Sequence, residues 1–279
     1  YALSVNTGAN NVAVGRQALT ANTTGTNNTA VGMQSLLSVT TASSNTGVGK
    51  NSLANTTTGA SNVAVGHNAL LTNTTASNNT ALGFEALKAN TTGDTNTAVG
   101  KDSMKATTTG TNNSAFGARS LDANTTGTNN VAVGDMALGA NTTASNNTAV
   151  GTSALISNTT GHSHIAVGVS AGLAMTTGTH NVFLGLEAGY GGTTATRLAT
   201  GGSNTLVGAV CHATAADANY ANGFGYNISA EAGYTTLGQA GDDIRAAHGN
   251  VTWATVSDER YKKDIVDSTA GLSFINALQ

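Results

Sequence analysis

A glycine recurs every 17 residues, and this spacing limits the fold more than any other feature of the chain. It stands at Gly15, Gly32, Gly49, Gly66, Gly83, Gly100, Gly117, Gly134, Gly151, Gly168 and Gly185, without one insertion. The register then loosens: Gly208 follows after 23 residues, Gly225 after 17 and Gly238 after 13. The neighbours keep step. Four residues before the glycine stands Asn, from Asn11 and Asn28 to Asn181, with His164 the exception. One before it stands a large apolar residue such as Val14, Leu82, Phe116 or Leu184. Four after it stands Leu or Met, from Leu19 through Met104 to Leu155. Seven before it stands Gly or Ala, as at Gly8, Gly25 and Ala42.

A period this strict makes each repeat one structural unit stacked on the next. Seventeen residues are too few for a pair of helices and suit one coil of a solenoid. The expected fold class is all-β: a β-solenoid (β-roll) of 17-residue coils. The phrase N-x-A-V-G reads as a short strand, because β-branched residues fill most of its −3 and −1 positions, counted from the glycine. Alternation puts −3 and −1 on one face. With coils about 4.8 Å apart, the Val and Leu ladders are expected to bury each other. Glycine supplies a tight corner, and Asn ladders with its copies above and below. The segment x-x-A-L-x-x-N reads as either a second strand or a single helical turn. Charges gather just after the glycine, at Arg16, Lys50, Glu85, Lys101, Asp102, Arg119, Asp135 and Glu187, which marks an exposed corner.

The composition suits such a rod. Proline is absent, aromatics are 4% and charged residues 9%, against about 25% charged in ordinary domains. Ala, Val and Leu make up most of the apolar share, and a thin coil has room for little else. Disordered chains are usually charged and rich in Pro, Glu or Lys. A net charge of −3 suggests neither nucleic acid nor an anionic membrane as partner. No apolar run approaches the ~20 residues of a membrane helix. The single Cys211 rules out an intrachain disulfide framework. The chain opens on Tyr1 rather than Met and is read as a segment of a longer product.

From Thr7 to about Tyr190 the repeated phrase resembles the head repeats of trimeric autotransporter adhesins and related repeats of phage tail fibres. Those adhesin heads usually use shorter repeats, so the resemblance does not carry over the coil cross-section. The resemblance implies a left-handed, homotrimeric β-roll.

Composition shifts toward the C-terminus, and three segments are expected: regular repeats over 1–190, irregular repeats over 191–252, and a distinct piece over 253–279. Of 25 charged residues, 10 lie between Asp242 and Asp267. Ser257 suits a helix N-cap, with Asp258 and Glu259 in the first turn and Lys262 and Lys263 after them. Leu272, Ile275 and Leu278 would give a second helix one apolar stripe. The whole pattern goes further: Trp253, then S-D-x-R-x-K-x-x-I from Ser257 to Ile265, then G-L-x-F-I-x-x-L from Gly271 to Leu278. It resembles the start of the self-cleaving intramolecular chaperone domain of phage tail fibres, tail spikes and endosialidases. That resemblance implies a cut between Val256 and Ser257. Ser257 would be the nucleophile and Lys262 its base, with Asp258 and Arg260 holding geometry. The alternative is a non-cleaving variant in which Ser257 is only a structural cap.

Other candidates are weaker. His162 and His164 would share a strand face and suggest a metal pair, but the repeat puts them in ordinary corner and Asn positions, so no metal or cofactor is expected. The repeats hold too few Asp and Glu for a series of calcium sites. Sequons such as Asn22-Thr23-Thr24 are by-products of the repeat. Cys211 and His212 are adjacent without a third partner. Thr pairs (Thr23 and Thr24, Thr74 and Thr75, Thr91 and Thr92, Thr125 and Thr126, Thr142 and Thr143, Thr159 and Thr160) raise an ice-binding array, against the plainer reading of soluble coil corners. The expected function is structural: a rigid trimeric shaft or head of a phage tail fibre or similar extracellular filament in host attachment, with a bacterial surface adhesin as the rival. Its partners would be its own copies and a cell-surface receptor, a glycan or surface protein, met at the variable corners or at Gly191 to Ala247. Enzyme chemistry would be confined to the one self-cleavage.

Overall fold

The computed structural model describes residues 1–191, 197–240, 242–249 and 254–255. One strand of three residues appears in each coil: β1 Val12–Val14, β2 Thr29–Val31, β3 Thr46–Val48, β4 Val63–Val65, β5 Thr80–Leu82, β6 Thr97–Val99, β7 Ser114–Phe116, β8 Val131–Val133, β9 Thr148–Val150, β10 Ile165–Val167, β11 Val182–Leu184 and β12 Thr205–Val207. Each pairs in parallel with the next, equivalent residue opposite equivalent residue, as Ala81 opposite Ala98. The chain is therefore a parallel β-solenoid of 17-residue coils. The ladder continues through β14 (Asn222–Tyr226) and β16 (Tyr234–Gln239), while β13 (His212–Ala213) and β15 (Ser229–Ala230) form a small second sheet. β17 (Ile244–Ala247) and β18 (Ala254–Thr255) run antiparallel and end the sheet. No helix occurs among the described residues, and the helices expected after Val256 lie outside them.

The A-L segment is neither a strand nor a helical turn. Two left-handed residues bend it in every coil from that of Gly15 to that of Gly185, as Gln17 (φ 60) and Leu19 (φ 50) do in the first. A left-handed non-glycine residue costs about 1–2 kcal/mol. The same bend drives the leucine into the centre of the coil, where Leu19, Leu36, Leu70 and Leu87 are fully buried. Burying a leucine returns about 1.5–3 kcal/mol, and the backbone stays paired, with Leu70 N–H donating to Ala86 O at 3.0 Å.

The valines point the other way from the expectation. In each strand the middle residue faces inward: Ala64, Ala81, Ala98 and Ala132 are fully buried. The flanking residues face out, with Leu82 at 46% exposure, Phe116 at 43% and Val133 at 37%. The Leu ladder is core and the Val ladder is surface. The reason is space. The leucine from the opposite wall fills the coil and leaves the sheet side room for a methyl group. Where even that is missing, the residue is Gly47, whose added Cβ would sit 2.6 Å from Ser35 Oγ. The motif glycine is fixed by a similar approach. Gly83 has φ +144, and a Cβ there would sit 2.3 Å from Gly100 O.

The coil of Phe183 departs from the alanine rule and shows that volume is conserved. Phe183 takes the middle strand position and is fully buried. The leucine position of its own coil and of the coil before it are both glycine. A Cβ on Gly172 would lie 2.7 Å from Phe183 Cδ2, and one on Gly189 2.5 Å from Cδ1. One large residue has replaced two, an exchange that cores accept when total volume is kept. Phe183→Ala should therefore cost about 3–5 kcal/mol in denaturant unfolding. The triple variant with Gly172→Leu and Gly189→Leu, which rebuilds the common coil, should recover most of it; no recovery would refute the exchange.

Candidate functional site

Among the described residues no three His, Cys, Asp or Glu side chains gather to hold a metal ion, and no pocket opens. The features that remain are faces of the rod, and the sequence places each one.

The outer face of the sheet is the most distinctive. Positions −3, −1 and +1 of every coil project from it. Leu82, Phe84, Phe116, Val133, Val169 and Leu186 stand there exposed, and the column reaches Phe224 and Tyr226 at the far end. On this face the His67 ring stacks on Phe84, centroids 5.4 Å apart. Nearly all exposed large apolar residues lie on this one face; Tyr1, Val5 and Tyr220 are elsewhere. Soluble monomers rarely expose a contiguous apolar patch of more than a few hundred Å².

The charged corner is exposed at Arg16, Lys50, Lys101, Arg119 and Asp135, as the sequence suggested, but not at Glu85. Glu85 has only 9% exposure. Its carboxylate accepts from Lys88 Nζ at 2.9 Å and from Lys105 Nζ of the next coil at 2.9 Å. Lys105 also reaches Asp102 Oδ1 at 3.3 Å. The hydrogen bonds from Lys88 and then Lys105 hold the Glu85 pKa at about 2 instead of 4.5, and Glu85 in turn raises that of Lys105. This is a knot tying neighbouring coils together rather than a free binding edge.

The threonine pairs divide their labour. The first of each pair turns its hydroxyl onto the next coil, with Thr74 Oγ1 donating to Thr91 O at 3.1 Å and Thr91 Oγ1 to Thr108 O at 3.1 Å. The second of each pair, as Thr75, Thr92 and Thr126, is exposed, and the column runs along bends rather than a strand. The sequon asparagines face inward: Asn22, Asn73, Asn90 and Asn124 are fully buried. Asn90 Nδ2 donates to Gly93 O at 3.0 Å, so the amide is committed to the fold.

His162 and His164 do not share a face, for His162 is exposed and His164 fully buried. His162 meets His180 of the next coil edge-on, centroids 5.3 Å apart. Cys211 turns into the core, and burial pushes its thiol pKa up to about 12. His212 sits on the other side of the backbone and meets Ser229 Oγ through Nε2 at 3.1 Å, so the two are no catalytic pair. Val256, Ser257, Asp258, Arg260 and Lys262 lie outside the described residues. No family model, curated protein or solved structure matches the chain.

The Glu85 knot fixes a pH dependence. Its folded pKa lies below the unfolded value, so its contribution is complete above about 4.5 and is lost as pH falls toward 2. Thermal midpoints measured down that range should fall further for the wild type than for Glu85→Gln. Equal slopes would mean that the lysines do not stabilise the carboxylate.

Proposed function

We propose that the chain is a rigid rod segment of a homotrimeric fibre, part of a phage tail fibre or a comparable extracellular filament used in host attachment. The observation that supports this best is the apolar outer face of the sheet. It repeats with the coils, at about 4.8 Å per rung. A partner of arbitrary shape meets a few rungs of such a face. A second copy of the chain carries the same repeat and meets every rung in phase. Each rung adds a small apolar area, but the sum over the ladder is that of a substantial interface. The number three comes from the resemblance to adhesin heads and tail fibres. A receptor, glycan or surface protein, would then meet the corners that the interface leaves free or the less regular coils after Gly191.

The C-terminal resemblance adds a maturation step. Ser257 Oγ, deprotonated by Lys262, attacks the Val256 carbonyl; the peptide nitrogen leaves as an amine, and water hydrolyses the resulting ester. Trimerisation would precede the cut, and the rod would remain.

Native mass spectrometry of the full-length gene product tests both parts. Three copies ending at Val256 are expected. Leu82→Glu with Val133→Glu should dissociate the assembly while circular dichroism still reports the β-structure, and a monomeric wild type would overturn the proposal. Ser257→Ala should leave the product uncut; cleavage that persists would remove Ser257 from the chemistry. Thermal hysteresis is expected to be absent. One Thr column donates to the next coil and the other runs along bends, which supports the plainer reading of soluble coil corners.

A further inference from the structure

The buried asparagine ladder changes chemistry at one rung. In the ordinary rung an Asn Oδ1 accepts the backbone N–H of the next Asn, as Asn130 Oδ1 does from Asn147 at 3.0 Å. The Nδ2 of the same side chain donates to a carbonyl of the next coil, as Asn147 Nδ2 does to Gly161 O at 3.0 Å. His164 occupies this position fully buried. Its own N–H follows the rule and donates to Asn147 Oδ1 at 2.9 Å. The N–H of Asn181 then donates to His164 Nδ1 at 3.2 Å. Nδ1 must therefore carry a lone pair, and the proton sits on Nε2. Nε2 lies toward the Gly178 backbone but closes no full hydrogen bond.

An amide cannot lose its acceptor; an imidazole can. A proton on Nδ1 would put two N–H groups face to face in a dry site. The titratable groups that face His164 are His162 and His180, both of which disfavour a second positive charge, and its other neighbours are the neutral Asn147, Asn181 and the Phe183 ring at 6.4 Å. Among the described residues no carboxylate acts on it.

We propose that His164 is an acid-sensitive rung: its protonation breaks the Asn181 N–H to Nδ1 bond and opens the solenoid between the coils of Gly168 and Gly185. This stands whether or not the rod is a trimer. Burial holds the folded pKa at about 4 against 6.5. The opened state therefore takes up the proton first, so protection is complete above about 6.5 and falls as pH drops toward 4.

Hydrogen exchange of the full chain, corrected for intrinsic rates, tests it. Between about pH 7 and about pH 5 the opening constant of the amides at Ile165 and Asn181 should rise on the order of twentyfold, beyond any change in coils distant from His164. His164→Asn restores the common rung and should abolish that local rise. His162→Asn, which changes only the exposed ring, should keep it. A local rise of equal size in His164→Asn, or none in the wild type, overturns the proposal. So would an NMR titration of the wild type that gives His164 an ordinary pKa.

Discussion

The fold depends on how a coil of 17 residues can close without leaving its turn groups unpaired. Each coil is too thin to hide unsatisfied polar atoms, and one buried N–H or C=O costs about 1–3 kcal/mol. The asparagine ahead of each strand answers this. Asn28 Oδ1 accepts from Asn45 N–H at 3.0 Å, and Asn45 Nδ2 donates to Gly59 O at 2.9 Å. A side chain one residue wide thus satisfies backbone groups that a longer turn would have to pair with itself. The strands can then be three residues long, because the ladder ahead of them is completed by side-chain amides and after them by backbone bonds such as Gly32 N–H to Val14 O at 2.8 Å. The rest of the coil follows. Its interior needs one leucine, two small residues and the amides, and admits little more.

With so small an interior, apolar residues have to be divided between core and surface. The strand gives its alanine to the core and its valines to the outside. An isolated rod built this way leaves a long β-branched stripe in water, an arrangement that makes sense for a surface meant to be covered. The charge knot at Glu85, Lys88 and Lys105 sits off this stripe on a corner. Polar ties between coils and apolar area for association are thereby kept on different sides of the rod.

The period, the strand positions and their register were legible in the sequence, because glycine, asparagine and leucine each return at 17 and a solenoid has only one way to align such copies. The asparagine ladder was legible for the same reason. The direction of the strand face was not. Period-two alternation separates two faces but does not say which is inside, and the usual preference for large apolar residues inside gave the wrong side. Only the leucine of the opposite wall decides it, and its direction depends on the left-handed residues at Gln17 and Leu19, where residue types signal no such turn. Glu85 reads in the sequence as an exposed corner charge, and its ion pairs do not show there, because Lys105 is in the next coil and Lys88 three residues on. For the C-terminal motif around Ser257 the sequence remains the whole of the argument.

Several departures from the repeat cluster near one end. His164 replaces an asparagine, Gly172 replaces a leucine, Met175 takes the next buried polar position and Phe183 replaces an alanine, all just before the spacing slips from 17 to 23. Each is a substitution in the core rather than on a corner, and each fits its neighbours: the phenyl ring fills the glycine gaps, and Asn181 Nδ2 meets Met175 Sδ at 3.9 Å. A coil with a different internal shape presents different backbone positions to the next, so longer insertions become possible there. The parallel ladder nevertheless passes from β11 to β12 in register. The strand is thus the fixed element and the rest of the coil is adjustable. That division explains how a rod of near-identical rungs can change its coil length toward one end without losing its sheet.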